Sequence, residues 1–264
     1  MLRTPSWTGR MALVAHITGM IMIGISLALI PATALAYVDE SWDLAGFVAS
    51  LCAMTLLGAL FFTTTKSAVR EVHFGHREAF LIVGWGWLVA GLLGALPYWL
   101  SVHLAPASVC DPMLKMVGSD FCSFTHAAFE SVSGFTTTGA TIMTDGLWGE
   151  PGLTPDGRPG LPRGLLLWRS LTQYLGGMGI IVLGVAILPL LGVGGMQLFK
   201  AEAPGPTTDK LAPRIGETAK LLWKVYLILT AILFSLLSGA GMDAFEAVCH
   251  AMTTMASGPV KSTF

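Results

Sequence analysis

The sequence predicts an all-α integral membrane protein of about five spans, with two shorter segments that enter the bilayer and return. Three observations carry that prediction. Of 264 residues, 53% are hydrophobic and only 12% charged, against about one quarter charged in soluble domains; mean hydropathy is +0.69. Five apolar runs, approximately 11–36, 44–65, 79–101, 165–191 and 221–240, approach or exceed the roughly 20 residues a helix needs to cross about 30 Å of hydrocarbon. Two further apolar stretches are too short for that crossing, and each leads into threonines.

The first run follows Arg3 and Arg10 and ends at Ala34-Leu35-Ala36, so it reads either as a span or as a cleavable secretory signal; its length favours the span. The connections after each run differ in charge. The N-terminus, 66–78 and 199–224 hold ten basic and five acidic residues, whereas 37–43, 102–170 and 241–246 hold four basic and eleven acidic. Basic residues stay on the cytoplasmic side, so Arg3, Arg10, Lys66, Arg70, Arg77, Lys200, Lys210, Arg214 and Lys220 put the N-terminus inside and 102–164 outside. Within that outer connection, 145–163 is rich in Gly, Pro and Asp and reads as a solvated loop.

Residues 121–144 differ: an apolar run of about 15 residues, then a Thr/Gly stretch. A short helix that enters and returns accounts for this, since irregular backbone is tolerated at membrane depth only against protein or a water-filled cavity. Its core Ala128-Phe129-Glu130-Ser131-Val132 recurs as Ala244-Phe245-Glu246-Ala247-Val248, with Thr136-Thr137-Thr138-Gly139 after the first copy and Thr253-Thr254 after the second. The repeating unit is span, short descending helix, Thr/Gly return. Such a unit suits a cation stripped of its water. Backbone carbonyls of an extended strand replace the hydration shell without placing full charges in the membrane, Gly139 permits a backbone angle that a Cβ resists, and the helix C-terminus adds a partial negative charge. Glu130 and Glu246, read as lying near the helix starts, suit caps or guards of an outer mouth.

At these residues the chain resembles the Trk/Ktr/HKT superfamily of cation transporters, most closely the bacterial Trk potassium-uptake membrane subunit. Phe129–Ile142, Leu167–Pro189 and Glu246–Ser257 carry the likeness. It implies span–pore–span repeats similar to potassium channels, four around one pore, preceded by two accessory spans. Residues 1–77 then resemble the accessory pair, 78–199 the first repeat, 200–216 a cytoplasmic linker and 217–264 an opening second repeat. The resemblance places Thr136, Thr137, Thr138, Gly139 and Ala140 on the first filter strand, and Thr253, Thr254, Ala256, Ser257 and Gly258 on the second. It implies potassium uptake or symport across the inner membrane, with K+ as cargo and no organic cofactor. Membrane lipid, a cytosolic nucleotide-binding regulatory subunit and a second copy in a homodimer are the implied partners. The chain departs from the family at Pro259, which replaces a glycine-rich continuation of the second filter and lacks a backbone donor. One quarter-ring offers too few carbonyls for a dehydrated ion, so these 264 residues alone are expected not to conduct, and a fragment that only associates with membrane helices is the alternative.

Other features are weaker. Net charge is −1 with no basic arm, which gives no footing for nucleic acid. An enzyme using Asp111, Asp120, Asp145 and Glu150 lacks a companion nucleophile and base. His73 and His76 on a connecting loop read as solvated residues rather than a metal site. Gly176-Gly177-Met178-Gly179 lies inside an apolar run, where small residues permit close helix packing, and no strand or Lys-Ser/Thr makes it a phosphate loop. Arg169 is costly in lipid; it either holds a pore segment or snorkels to the surface. Cys52 reads as packing, and a Cys110–Cys122 disulfide is left open by spacing alone.

Overall fold

The computed structural model describes residues 7–69, 76–105, 110, 119–143, 161–187 and 211–256, and all regular structure among them is helical. A hairpin of two long helices comes first, α1 (Trp7–Val38) and α2 (Leu44–Val69). Their backbones meet where Gly19 and Gly58 cross: a Cβ on Gly19 would lie 2.8 Å from the Gly58 carbonyl oxygen. Such contact needs small residues, because lipid supplies no hydrophobic drive to press bulkier helices together. Cys52, read as packing, is exposed on α2.

The expected span 79–101 is two helices, α3 (His76–Leu93) and α4 (Leu96–Leu104), separated by a turn at Gly94 and Ala95. Pro97 in the first turn of α4 explains the break, since it has no N–H to continue the ladder. The freed Gly94 carbonyl accepts the indole N–H of buried Trp168 at 3.0 Å. A 3-10 turn (Ser119–Cys122) then leads into a short helix, α5 (Phe124–Phe135). Cys110 and Cys122 are joined by a disulfide, their Cα atoms 5.7 Å apart, just before α5 begins.

Helix α6 (Arg163–Ile187) packs against both α1 and α5. Its first residue is ion-paired with Asp39 of the α1–α2 connection, and that hydrogen-bonded carboxylate raises the Arg163 pKa further. Asp43, fully buried on the same connection, faces Gly164; burial pushes its pKa up to about 6. The core beneath is apolar, with Trp168, Tyr98, Phe47, Phe121, Leu29 and Leu165 fully buried. Helix α7 (Leu211–Gly239) begins inside the segment read as linker, with Pro213 in its first turn, where no intrahelical donor is lost. A 12-residue helix, α8 (Ala244–Met255), follows.

Among the described residues, four stretches are long and apolar enough to cross a membrane: Met11–Val38, Leu44–Ser67, Leu81–Leu104 and Glu217–Gly239. Helix α6 is 25 residues long but carries a polar face, with Arg169, Ser170, Thr172 and Gln173 all buried. That face is where the candidate site is built.

Candidate functional site

Helix α5 has 12 residues, about 18 Å of rise, too short to cross the bilayer. It stops by a defined device. The Thr137 N–H donates to Gly134 O at 2.8 Å and the Thr138 N–H to Ser133 O at 3.0 Å, the two bonds of a Schellman stop. That stop needs a left-handed residue after the cap, and Thr137 takes it with φ +56°. Glycine is the usual occupant; a β-branched residue there is strained. Two residues on, Gly139 is left-handed as well, at φ +74°, the freedom its lack of a Cβ allows. Among the described residues, no donor reaches the carbonyl oxygens of Thr136, Thr137, Thr138 or Gly139. The Thr136 and Thr138 hydroxyls lie 2.8 Å apart.

Ala140 differs from the four residues before it. Its carbonyl accepts from Ser133 Oγ at 2.5 Å and from Arg169 Nη2 at 3.3 Å. Ala140, which the resemblance places on the same strand, is thus tied through its carbonyl to α5 and α6. The next residues are held by Glu130, whose Oε2 accepts from Thr141 Oγ1 and the Ile142 N–H, each at 3.1 Å.

Glu130 is the seventh residue of α5, completely buried, and Arg169 Nε donates to its Oε1 at 2.5 Å. Its placement at the helix start as a cap or guard of the mouth is thus also corrected. Arg169 is 4% exposed and further donates to Gln173 Oε1 at 3.1 Å, so of its two readings the contact with the pore segment is the one observed and the snorkel is not. Desolvating both charges is repaid only with good geometry and satisfied lone pairs. Here each partner's remaining polar atoms go to the returning strand or to Gln173.

The cap of the second copy has the same backbone geometry. The cap of α5, Thr136, has φ −82° and ψ 2°; the cap of α8, Ala256, has φ −80° and ψ 5°. Thr253 and Thr254, expected on an extended strand, are instead in the last turn of α8, where the Thr253 hydroxyl donates back to Cys249 O at 2.8 Å. Ala256 is the cap, and Ser257 and Gly258 lie outside the described residues, as do His73, Asp111, Asp145 and Glu150. Aligning the helix ends therefore shifts the five-residue sequence repeat by one turn. Glu246 sits in the first turn of α8, behind the Asp243 cap that accepts the Phe245 N–H at 2.9 Å, and is not the counterpart of Glu130. A signal for this shift was present: ten residues separate Phe129 from Gly139, but thirteen separate Phe245 from Gly258.

Comparison with known proteins agrees with this architecture. The family model for TrkH, described as cation transport protein, matches residues 45–259. The Trk system potassium uptake protein TrkH of Halomonas elongata is 39% identical over 249 residues, covering 93% of this chain and 45% of the relative. TrkG of Escherichia coli K12, a Trk system potassium uptake protein, is 34% identical over 254 residues, covering 95% and 46%. The crystal structure of the potassium transporter TrkH from Vibrio parahaemolyticus superposes with a TM-score of 0.67 at 31% identity, covering 92% of this chain and 42% of that one. The chain thus spans a little under half the length of the relatives it matches. With the family model covering most of its length, the chain belongs to the TrkH family of cation transport proteins.

Proposed function

We propose that this chain supplies part of a Trk-type potassium-uptake pathway across the bacterial inner membrane, with Thr136–Gly139 as one strand of its filter. The observation that carries this reading is the run of four carbonyls that, among the described residues, accept from no donor, just past the C-terminal end of a short helix. Thr136 is right-handed, Thr137 left-handed, and Gly139 left-handed again. Such reversals of hand rotate successive peptide planes and let carbonyls turn toward one side, where they replace water around a cation. The helix dipole adds partial negative charge at the same end.

In this reading residues 1–77 are accessory spans, 78–199 the first span–pore–span repeat, and 217 onward the opening of a second. The basic connections put the N-terminus in the cytoplasm. The relatives are potassium uptake proteins, and the ion carried here is K+. A cytosolic nucleotide-binding regulatory subunit and a second copy complete the working assembly. The test is a chimera of this chain with the remaining half of the Vibrio parahaemolyticus transporter, in cells lacking other potassium-uptake systems. Growth on limiting potassium is expected; a chimera that reaches the membrane intact yet carries no potassium sinks the reading.

A further inference from the structure

Helix α6 carries two adjacent glycines, and each stands against the end of a different short helix. A Cβ on Gly176 would lie 2.2 Å from the Phe135 carbonyl oxygen, 2.8 Å from its carbon and 3.0 Å from its Cα. Phe135 is the last residue of α5, directly before Thr136. A Cβ on Gly177 would lie 3.2 Å from both Cα and Cβ of Ala256, the cap of α8, and 2.7 Å from Tyr226 Oη of α7. Consecutive helical residues point about 100° apart, so one peptide of α6 meets the C-terminal ends of both short helices. We infer that Gly176 and Gly177 are positioning residues that set the separation of the C-terminal ends of α5 and α8, with α6 as their common spacer, and that filter geometry depends on that separation. This rests on the filter reading above.

The obstacles decide how each site responds to a methyl group. At Gly176 the obstacle is backbone, which cannot rotate away, so Phe135 and the strand after it must shift by about 1 Å, a displacement of a kind that costs roughly a hundredfold in a preorganised site. At Gly177 the nearest obstacle is a hydroxyl. Tyr226 stacks on Tyr174 with ring centroids 4.7 Å apart, and its hydroxyl donates to Tyr174 O at 3.4 Å. Removing that oxygen relieves the tightest of these contacts and leaves the milder ones to Ala256 at 3.2 Å. Gly179, about one turn on, meets among the described residues only the Trp87 ring at 3.3 Å and neither helix end.

The experiment compares Gly176→Ala, Gly177→Ala, Gly179→Ala and the Gly177→Ala/Tyr226→Phe pair in the chimera, reading potassium and sodium uptake together with thermal unfolding. Gly176→Ala and Gly177→Ala are expected to lower potassium-over-sodium discrimination by about tenfold or more, whereas Gly179→Ala stays within about twofold. Tyr226→Phe is expected to restore discrimination to Gly177→Ala and not to Gly176→Ala. The inference is overturned if both alanine variants keep their discrimination, or if Tyr226→Phe restores both or neither. Should Gly176→Ala not assemble, the Gly177 pair decides alone. Should the unsubstituted chimera carry no potassium, the filter reading fails instead, and the same selective rescue in thermal unfolding decides whether the two seats are real.

Discussion

Replacing Arg169 by Gln removes the guanidinium from behind the candidate filter while keeping a polar side chain on α6. Three contacts go with it: Glu130 Oε1 at 2.5 Å, Gln173 Oε1 at 3.1 Å and Ala140 O at 3.3 Å. Glu130 is then a fully buried carboxylate without its cation. Removing one partner of a buried pair costs about 3–5 kcal/mol, and about 1.4 kcal/mol is tenfold in an equilibrium constant. The fraction of molecules with the 140–142 strand in place is therefore expected to fall by roughly a hundredfold or more if the cost falls on that strand. Glu130→Gln strands Arg169 in the same way, although Gln173 and Ala140 O still receive its hydrogen bonds. The double variant has no unpaired charge and is expected to recover at least about 2 kcal/mol relative to the sum of the singles. Thermal unfolding of the purified chimera gives the coupling energy, and sodium competition against potassium uptake reports the strand itself. If Arg169→Gln leaves both unchanged, or if the two single costs simply add, the pair does not hold the strand.

Other outcomes follow from single observations. Gly139→Ala places a Cβ at φ +74° and is expected to cost about 1–2 kcal/mol and weaken potassium uptake; unchanged melting and uptake would count against the strained strand. Thr137→Gly releases the residue at φ +56° and is expected to raise stability by about 0.5–1 kcal/mol, with a lowered melting temperature as the contrary result. Asp43 has its pKa raised from 3.8 to about 6 by burial, so its contribution is fully present below pH 3.8 and is lost as pH rises through about 6. That loss is at most about 3 kcal/mol, and Asp43→Asn should flatten the dependence in melting curves between pH 4 and 7. Alkylation of the denatured chain without reductant is expected to label Cys52 and Cys249 alone, with Cys110 and Cys122 added after reduction; reduction should cost about 3 kcal/mol by loop entropy over 12 residues.

Much of the fold was legible because hydropathy, short-helix length and charge asymmetry are local properties. The apolar helices, a short helix within 121–144 and the left-handed need at Gly139 follow from composition and backbone chemistry alone. The register of the second copy was not legible from the Ala-Phe-Glu match, because five shared residues say nothing about where a helix ends. Capping hydrogen bonds decide that, and they put Thr253 and Thr254 inside α8. The Gly94–Ala95 break was signalled by Pro97, yet hydropathy runs smoothly across it.

By itself, the sequence determined that this is a helical membrane chain with a Thr/Gly strand after a short helix, since apolar length and the absence of a Cβ at Gly139 act within a few residues of their cause. Only the tertiary structure decided what stands behind that strand. Glu130 and Arg169 are 39 residues apart in the chain, and their contact depends on α5 lying against α6. The same packing gives the Ala140 carbonyl two donors, and brings two neighbouring glycines of α6 against two different short helices. Burial and long-range partners are set by how helices pack, and no local pattern records them.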